Sequence, residues 1–180
     1  MKPPVRPLLF FFFLLPFPVR AVDCACNHAD PATLDQRSCS LCREAEKQSS
    51  GVFFLKDANP RKPNRTLALP LQHGKGLQRL GDLSPQARAD FWKAAIAKAE
   101  QLWPGGWGVA YNADTTRTQC HLHVHIGKLI DGVDESTGRL FSRPEEFPLP
   151  DAGVGLWVHP VSGGFHVHMD RETAEFVLVR

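Results

Sequence analysis

Apolar positions along the chain follow two periods. Between residues 84 and 103, Phe91, Trp92, Ala95, Ile96, Ala99, Leu102 and Trp103 recur at spacings of three and four, which predicts one long helix with a broad apolar stripe. Ser84 before Pro85 supplies an N-cap and a first helical residue, and Pro104-Gly105-Gly106 ends the segment. Shorter apolar runs predict strands at residues 52–55, 66–71, 107–111 and 119–126. Residues 155–159 and 165–168 flank a turn and predict a hairpin. Residues 41–48 suit a short helix, and Asp170 is placed to cap a final one over residues 171–179. Strands with one long helix, and no strand–helix–strand alternation, predict an α+β domain with an antiparallel sheet. Residues 22–38 read as irregular, and residues 131–153, rich in Pro and Gly, as a long loop that is either functional or loosely ordered.

The N-terminus has a different character. Lys2 and Arg6 precede an apolar stretch over residues 8–17, and Val19-Arg20-Ala21 fits a cleavage site, so residues 1–21 read as a signal peptide. The apolar run is shorter than the roughly 20 residues that span a bilayer, and Pro16 and Pro18 interrupt it. Asp23 stands before Cys24 where lipid attachment needs a small residue. The expectation is a soluble protein, secreted or periplasmic after cleavage. Removing residues 1–21 leaves 18 basic against 19 acidic residues, which argues against an extended nucleic-acid partner. The remainder is one ordinary domain in length.

The chemistry concentrates in Gln119-Cys120-His121-Leu122-His123-Val124-His125-Ile126. In a strand, alternation puts His121, His123 and His125 on one face and Cys120, Leu122, Val124 and Ile126 in the core. Imidazoles held this way can ligate metal, act as bases or attack as nucleophiles. A strand whose polar face merely happens to carry histidine is the plain alternative, and three in succession make it the poorer one.

This pattern resembles the histidine triad family. Arg117-Thr118-Gln119 fits the polar run that leads into the triad, and the segment from Asn59-Pro60-Arg61 through Leu69-Pro70-Leu71-Gln72-His73 is similar to the family's loop and apolar strand ending in Pro-x-x-His. The resemblance covers about residues 39–129 and implies a domain over residues 39–130, with residues 131–180 as a loop and C-terminal extension packing on the same domain. It implies His123 as a nucleophile that forms a nucleotidyl-histidine, His125 at the phosphate or the leaving group, and Thr118 as a hydroxyl near that group. It further implies Asp57 at a ribose and Asn112 at the phosphate or ribose. Some members hold a structural zinc, and Cys39, Cys42, His73 and His121 match those positions. A disulfide from Cys39 to Cys42, or one involving Cys24, is the competing reading. Cys24 and Cys26 are left open, Cys120 reads as a buried small apolar residue, and five cysteines leave at least one thiol unpaired. His159, His166 and His168 suggest a second patch, either a metal or phosphate site or a solvated strand face.

The function implied is an exported hydrolase or transferase that cleaves a phosphoanhydride or phosphoramidate bond of a nucleotide derivative, including lipid-linked nucleotides, for which a family hydrolase of CDP-diacylglycerol is a precedent. The alternative is a zinc- or copper-binding module on the same scaffold without catalysis. A thiol redox role for Cys39 and Cys42 lacks the preceding thioredoxin-like strand. Family members commonly pair through the long helix, so a homodimer is expected.

Overall fold

The computed structural model describes residues 22–49, 51–71, 76–133 and 135–180; the expected signal peptide and His73 lie outside the described residues. The elements in chain order are α1 (Ser40–Ala45), β1 (Val52–Lys56), β2 (Thr66–Pro70), α2 (Pro85–Leu102), β3 (Trp107–Tyr111), β4 (Val124–Lys128), β5 (Arg139–Phe141), β6 (Leu156–Val161) and β7 (Gly164–His168). The fold is α+β: a seven-stranded open sheet, order β1-β2-β4-β3-β6-β7-β5, packed against α2. Every neighbouring pair is antiparallel.

Strand alternation decides which side chains meet α2. Val109, Tyr111, Val124, Ile126, Val158 and Val167 join Phe91, Trp92, Ala95 and Ala99 of the helix in one buried core. Each large side chain buried in this way contributes about 1.5–3 kcal/mol relative to exposure. The Ser84 hydroxyl accepts from the Ala87 N–H at 3.2 Å, the N-cap expected from the sequence. The stripe frays at its end, where Leu102 is 38% exposed.

The other face of the sheet is covered by the end of the chain. Ala110 and Trp157 pack with Ala174, Val177 and Leu178. The final helix expected over residues 171–179 is replaced by one 3-10 turn, Ala174–Val177, after which Leu178 bridges to Leu129. Asp170 does not cap it, because its carboxylate accepts from the Trp157 indole N–H at 3.0 Å and from Arg171. The Arg65 guanidinium, buried beneath, donates to the Leu178 carbonyl at 2.7 Å and holds the segment extended. Gly108 permits this approach, since a Cβ there would lie 2.7 Å from Leu178 Cδ2.

Residues 131–153 are likewise more structured than expected. They supply β5, which pairs with β7 at the sheet edge, and Phe147, whose ring meets Trp92 edge-on at 5.6 Å. Helix α1 stops at Ala45, short of the expected residue 48.

Two disulfides, Cys24–Cys120 and Cys26–Cys39, fasten the N-terminal segment to the domain, and Cys42 is the buried free thiol. Cys120 is therefore a cross-link rather than a plain apolar residue. Disulfides of this kind persist in oxidising compartments. Among the described residues, no helix is long and apolar enough to cross a membrane.

Candidate functional site

The histidine segment enters the sheet later than its alternation suggests. Strand β4 begins at Val124, so only His125 sits in the ladder, between Leu67 of β2 and Ala110 of β3. The preceding residues follow other partners: the Cys120 N–H donates to the Ser38 carbonyl at 2.8 Å, the Gln78 N–H donates to the Cys120 carbonyl at 2.9 Å, and Cys120 is bonded to Cys24. The alternation holds all the same: Leu122, Val124 and Ile126 lie in the core with α2, and the three histidines turn to the opposite face. His121 is fully buried there, with its ring edge-on to Phe53 at 6.3 Å, and His123 and His125 lie together with ring centres 5.1 Å apart.

His123 and His125 line a pocket of about 890 Å3, in the range that encloses small ligands. Asp57, Asn112 and Thr118 line it too, so five residues singled out in the sequence converge there. Thr118 sits exposed at the rim and Asn112 is buried. Lys62, Arg117 and Glu175 are among its other polar lining residues.

The tautomer of His123 follows from its partner. Its Nδ1 lies 2.8 Å from the His121 carbonyl oxygen, which can only accept, so Nδ1 carries the proton and Nε2 the lone pair. Burial, and after it the neighbouring His125 and Arg117 charges, hold the His123 pKa well below the usual histidine value. At neutral pH this ring is neutral, as a nitrogen nucleophile must be.

His125 faces two carboxylates. Its Nδ1 is 3.5 Å from Glu175 Oε2 and 3.7 Å from Asp57 Oδ2. Burial pushes Glu175 up, but His125, Lys62 and Arg65 outweigh it and hold the carboxyl below its ordinary range. Asp57 is lowered in the same way: burial opposes ionisation, and His125, the Asn59 N–H and Lys62 overcome it. Glu175 also receives Lys62 Nζ at 2.5 Å, the Arg65 guanidinium, and the Asn112 side-chain amide at 3.2 Å, while the Asn112 Oδ1 accepts the Glu175 backbone N–H at 2.9 Å. Neither Glu175 nor Lys62 carries a site signal in the sequence; only the folding of the chain's end over the sheet brings Glu175 to His125.

The expected zinc quartet of Cys39, Cys42, His73 and His121 is not assembled. Cys39 is bonded to Cys26 and offers no thiolate, and the competing Cys39–Cys42 disulfide is equally excluded. Burial pushes the Cys42 thiol up to about 11, so it is protonated at neutral pH. The sequence could not foresee that the irregular N-terminal segment returns Cys26 to Cys39. Among the described residues, two other groups have donor sets suited to a metal ion: Asp57 with His125 and Glu175, and His159 with His166 and His168. The second group lies on the β6–β7 hairpin, where burial and the adjacent His159 hold His168 down to about 4.

No protein-family model matches this chain, and a search of curated proteins finds no significant relative.

Proposed function

We propose that this protein is an exported hydrolase or nucleotidyl transferase that cleaves a phosphoanhydride or phosphoramidate bond of a nucleotide derivative through a covalent adduct on His123. The observation that carries this reading is the state of His123: a neutral ring whose Nδ1–H is committed to a backbone carbonyl, in a pocket shared with His125, Asp57, Asn112 and Thr118. Such an imidazole has its attacking lone pair aimed and the developing positive charge stabilised through the other nitrogen.

In the proposed reaction, His123 Nε2 attacks the phosphorus next to the nucleoside and forms a P–N bond as the bond to the leaving group breaks. His125 delivers a proton to the leaving oxygen or nitrogen, with the Asp57 and Glu175 carboxylates beside its Nδ1. Water, or a hydroxyl acceptor in the transferase case, then attacks the same phosphorus. His125 takes its proton, and the P–N bond breaks to restore neutral His123. Lys62 and Arg117 supply positive charge for the phosphate, and the exposed Thr118 hydroxyl stands at the rim for the leaving group. Asp57 is suited to a ribose hydroxyl.

A metal at Asp57, His125 and Glu175, the basis of a non-catalytic zinc or copper module, competes with cations already present. Lys62 at 2.5 Å and Arg65 neutralise Glu175, which disfavours a further cation there. Intact-mass spectrometry after brief incubation with a panel of dinucleoside polyphosphates, nucleoside phosphoramidates and lipid-linked nucleotides tests the proposal. A nucleotidyl adduct that is absent from His123→Ala supports it, and turnover by His123→Ala at the wild-type rate refutes it.

A further inference from the structure

We propose that His159, His166 and His168 form a second, separate site that binds a divalent transition metal of the zinc–copper class. Register brings them together. His159 pairs with His166 across the β6–β7 hairpin and Trp157 pairs with His168, so alternation turns all three imidazoles onto the face away from α2. One ring nitrogen from each lies within 4.8 Å of the others.

Hydrogen bonds fix two of the tautomers. His159 Nδ1 is 3.2 Å from the Pro160 carbonyl oxygen, which only accepts, so the proton is on Nδ1. The Thr137 hydroxyl donates to Asp170 Oδ2 at 3.2 Å, so it accepts from His168 Nδ1, 3.1 Å away. Both Nε2 atoms then carry bare lone pairs, and they face each other at 3.1 Å. Two lone pairs at that separation repel unless a cation lies between them. A zinc ion with Zn–N bonds of about 2.0–2.1 Å and tetrahedral angles holds its ligand nitrogens about 3.3 Å apart. The hairpin therefore holds these two nitrogens close to their metal-bound spacing.

The surroundings have the form of a metal site's outer shell. His166 Nδ1 is buried with no hydrogen-bond partner among the described residues. The Asp170–Thr137–His168 relay is the carboxylate-backed arrangement that orients ligating imidazoles. Glu135 Oε2, on a half-exposed side chain 3.9 Å from His159 Nε2, is within reach as a fourth ligand. Gly138 lets the backbone pass directly over the rings, since a Cβ there would lie 2.6 Å from His168 Nε2 and 2.9 Å from His166 Cβ. Three imidazoles and a carboxylate suit zinc or copper and are a poor set for magnesium or calcium.

This site does not belong to the nucleotidyl pocket. His125, Ala110, Trp157 and His168 occupy one cross-strand row, which separates the two histidines by three strand spacings, about 14 Å. Between them, the Trp157 indole stacks on His168 with ring centres 3.6 Å apart. The bound ion would tie residues 135–138 and β5 to the hairpin.

The test is titration of zinc alone into chelator-stripped protein with its disulfides intact, by calorimetry and thermal melting, with Co2+ as a spectroscopic stand-in. The expected result is one ion per chain, a raised Tm, and visible Co2+ bands of a tetrahedral nitrogen-rich site. His166→Asn, at a half-buried hairpin position, should weaken binding by about a hundredfold or more, whereas His125→Ala should leave it unchanged. Absence of saturable zinc binding by the folded protein overturns the proposal, as does a His166→Asn variant that binds like wild type. If His166→Asn does not fold, the wild-type Co2+ spectrum decides: tetrahedral bands that persist in His125→Ala support the site, and their absence refutes it.

Discussion

Glu175→Gln is the sharpest probe of how the chain's end builds the pocket. The carboxylate receives Arg65, Lys62 and Asn112 at once, and Arg65 is only 2% exposed. The substitution keeps the volume and an accepting oxygen but leaves the buried guanidinium without its counter-charge. Removing one partner of a buried ion pair costs about 3–5 kcal/mol. The low end applies here, because the amide still accepts a hydrogen bond and the Lys62 side chain, 19% exposed, can turn to water. For a domain of this size, about 3 kcal/mol lowers Tm by about 6–12 °C. The pH dependence has a definite sign. Glu175 is held below its ordinary pKa in the fold, so its contribution is complete above the ordinary carboxylate range and disappears as pH falls through the depressed value. Thermal melts followed by circular dichroism should show the full gap between wild type and Glu175→Gln at neutral pH and a closing gap in acid. A variant that melts with wild type at neutral pH, or a gap that does not change with pH, would refute the assignment of Glu175 as the charge that closes this network.

Three further outcomes are expected. His123→Ala should abolish turnover on the best nucleotide substrate while keeping the wild-type circular dichroism spectrum, and His125→Ala should slow it by about ten- to a thousand-fold, as for loss of one positioned acid–base group; equal effects of the two would contradict the division of roles. Cys24→Ser should lower unfolding free energy by about 4–5 kcal/mol in the chain-entropy account of so long a closed loop, which chemical denaturation without reductant will measure; the loop spans a sequence separation of 96. A homodimer across α2 would cover the exposed Phe54 and Leu102, and light scattering that reads a monomer at high concentration would remove it.

What the sequence reveals depends on the range of the interaction. Helix α2 is legible because its stripe and its Ser84-Pro85 start are local, and the site's core is legible because His123 and His125 are two residues apart. Asp57, Asn112 and Thr118 come from resemblance and meet in the pocket through β1, β3 and the loop before β4. Strand β5 is not legible: Arg139-Leu140-Phe141 has no alternation of its own and becomes a strand only by pairing with β7. The final helix fails because residues 171–179 have competing long-range partners, Asp170 to Trp157 and the Leu178 carbonyl to Arg65. The zinc quartet fails for a similar reason, since spacing describes Cys39 and Cys42 but says nothing about Cys26 arriving from an irregular segment.

The position of His123 rests on covalent and loop contacts more than on the sheet. Ladder pairing begins at Val124, so strand geometry fixes His125 but not His123. The ring of His123 is aimed by its bond to the His121 carbonyl, and that carbonyl follows directly after Cys120. Cys120 is in turn held on three sides, by the disulfide to Cys24, by the Ser38 carbonyl and by the Gln78 N–H. The role proposed for His123 needs its attacking atom held to within a fraction of an ångström, and a segment outside the ladder has no inter-strand bonds to do this. The N-terminal disulfide segment supplies the restraint instead. The irregular residues before α1 thus support the orientation of His123, just as the irregular residues after β7 supply Glu175 beside His125.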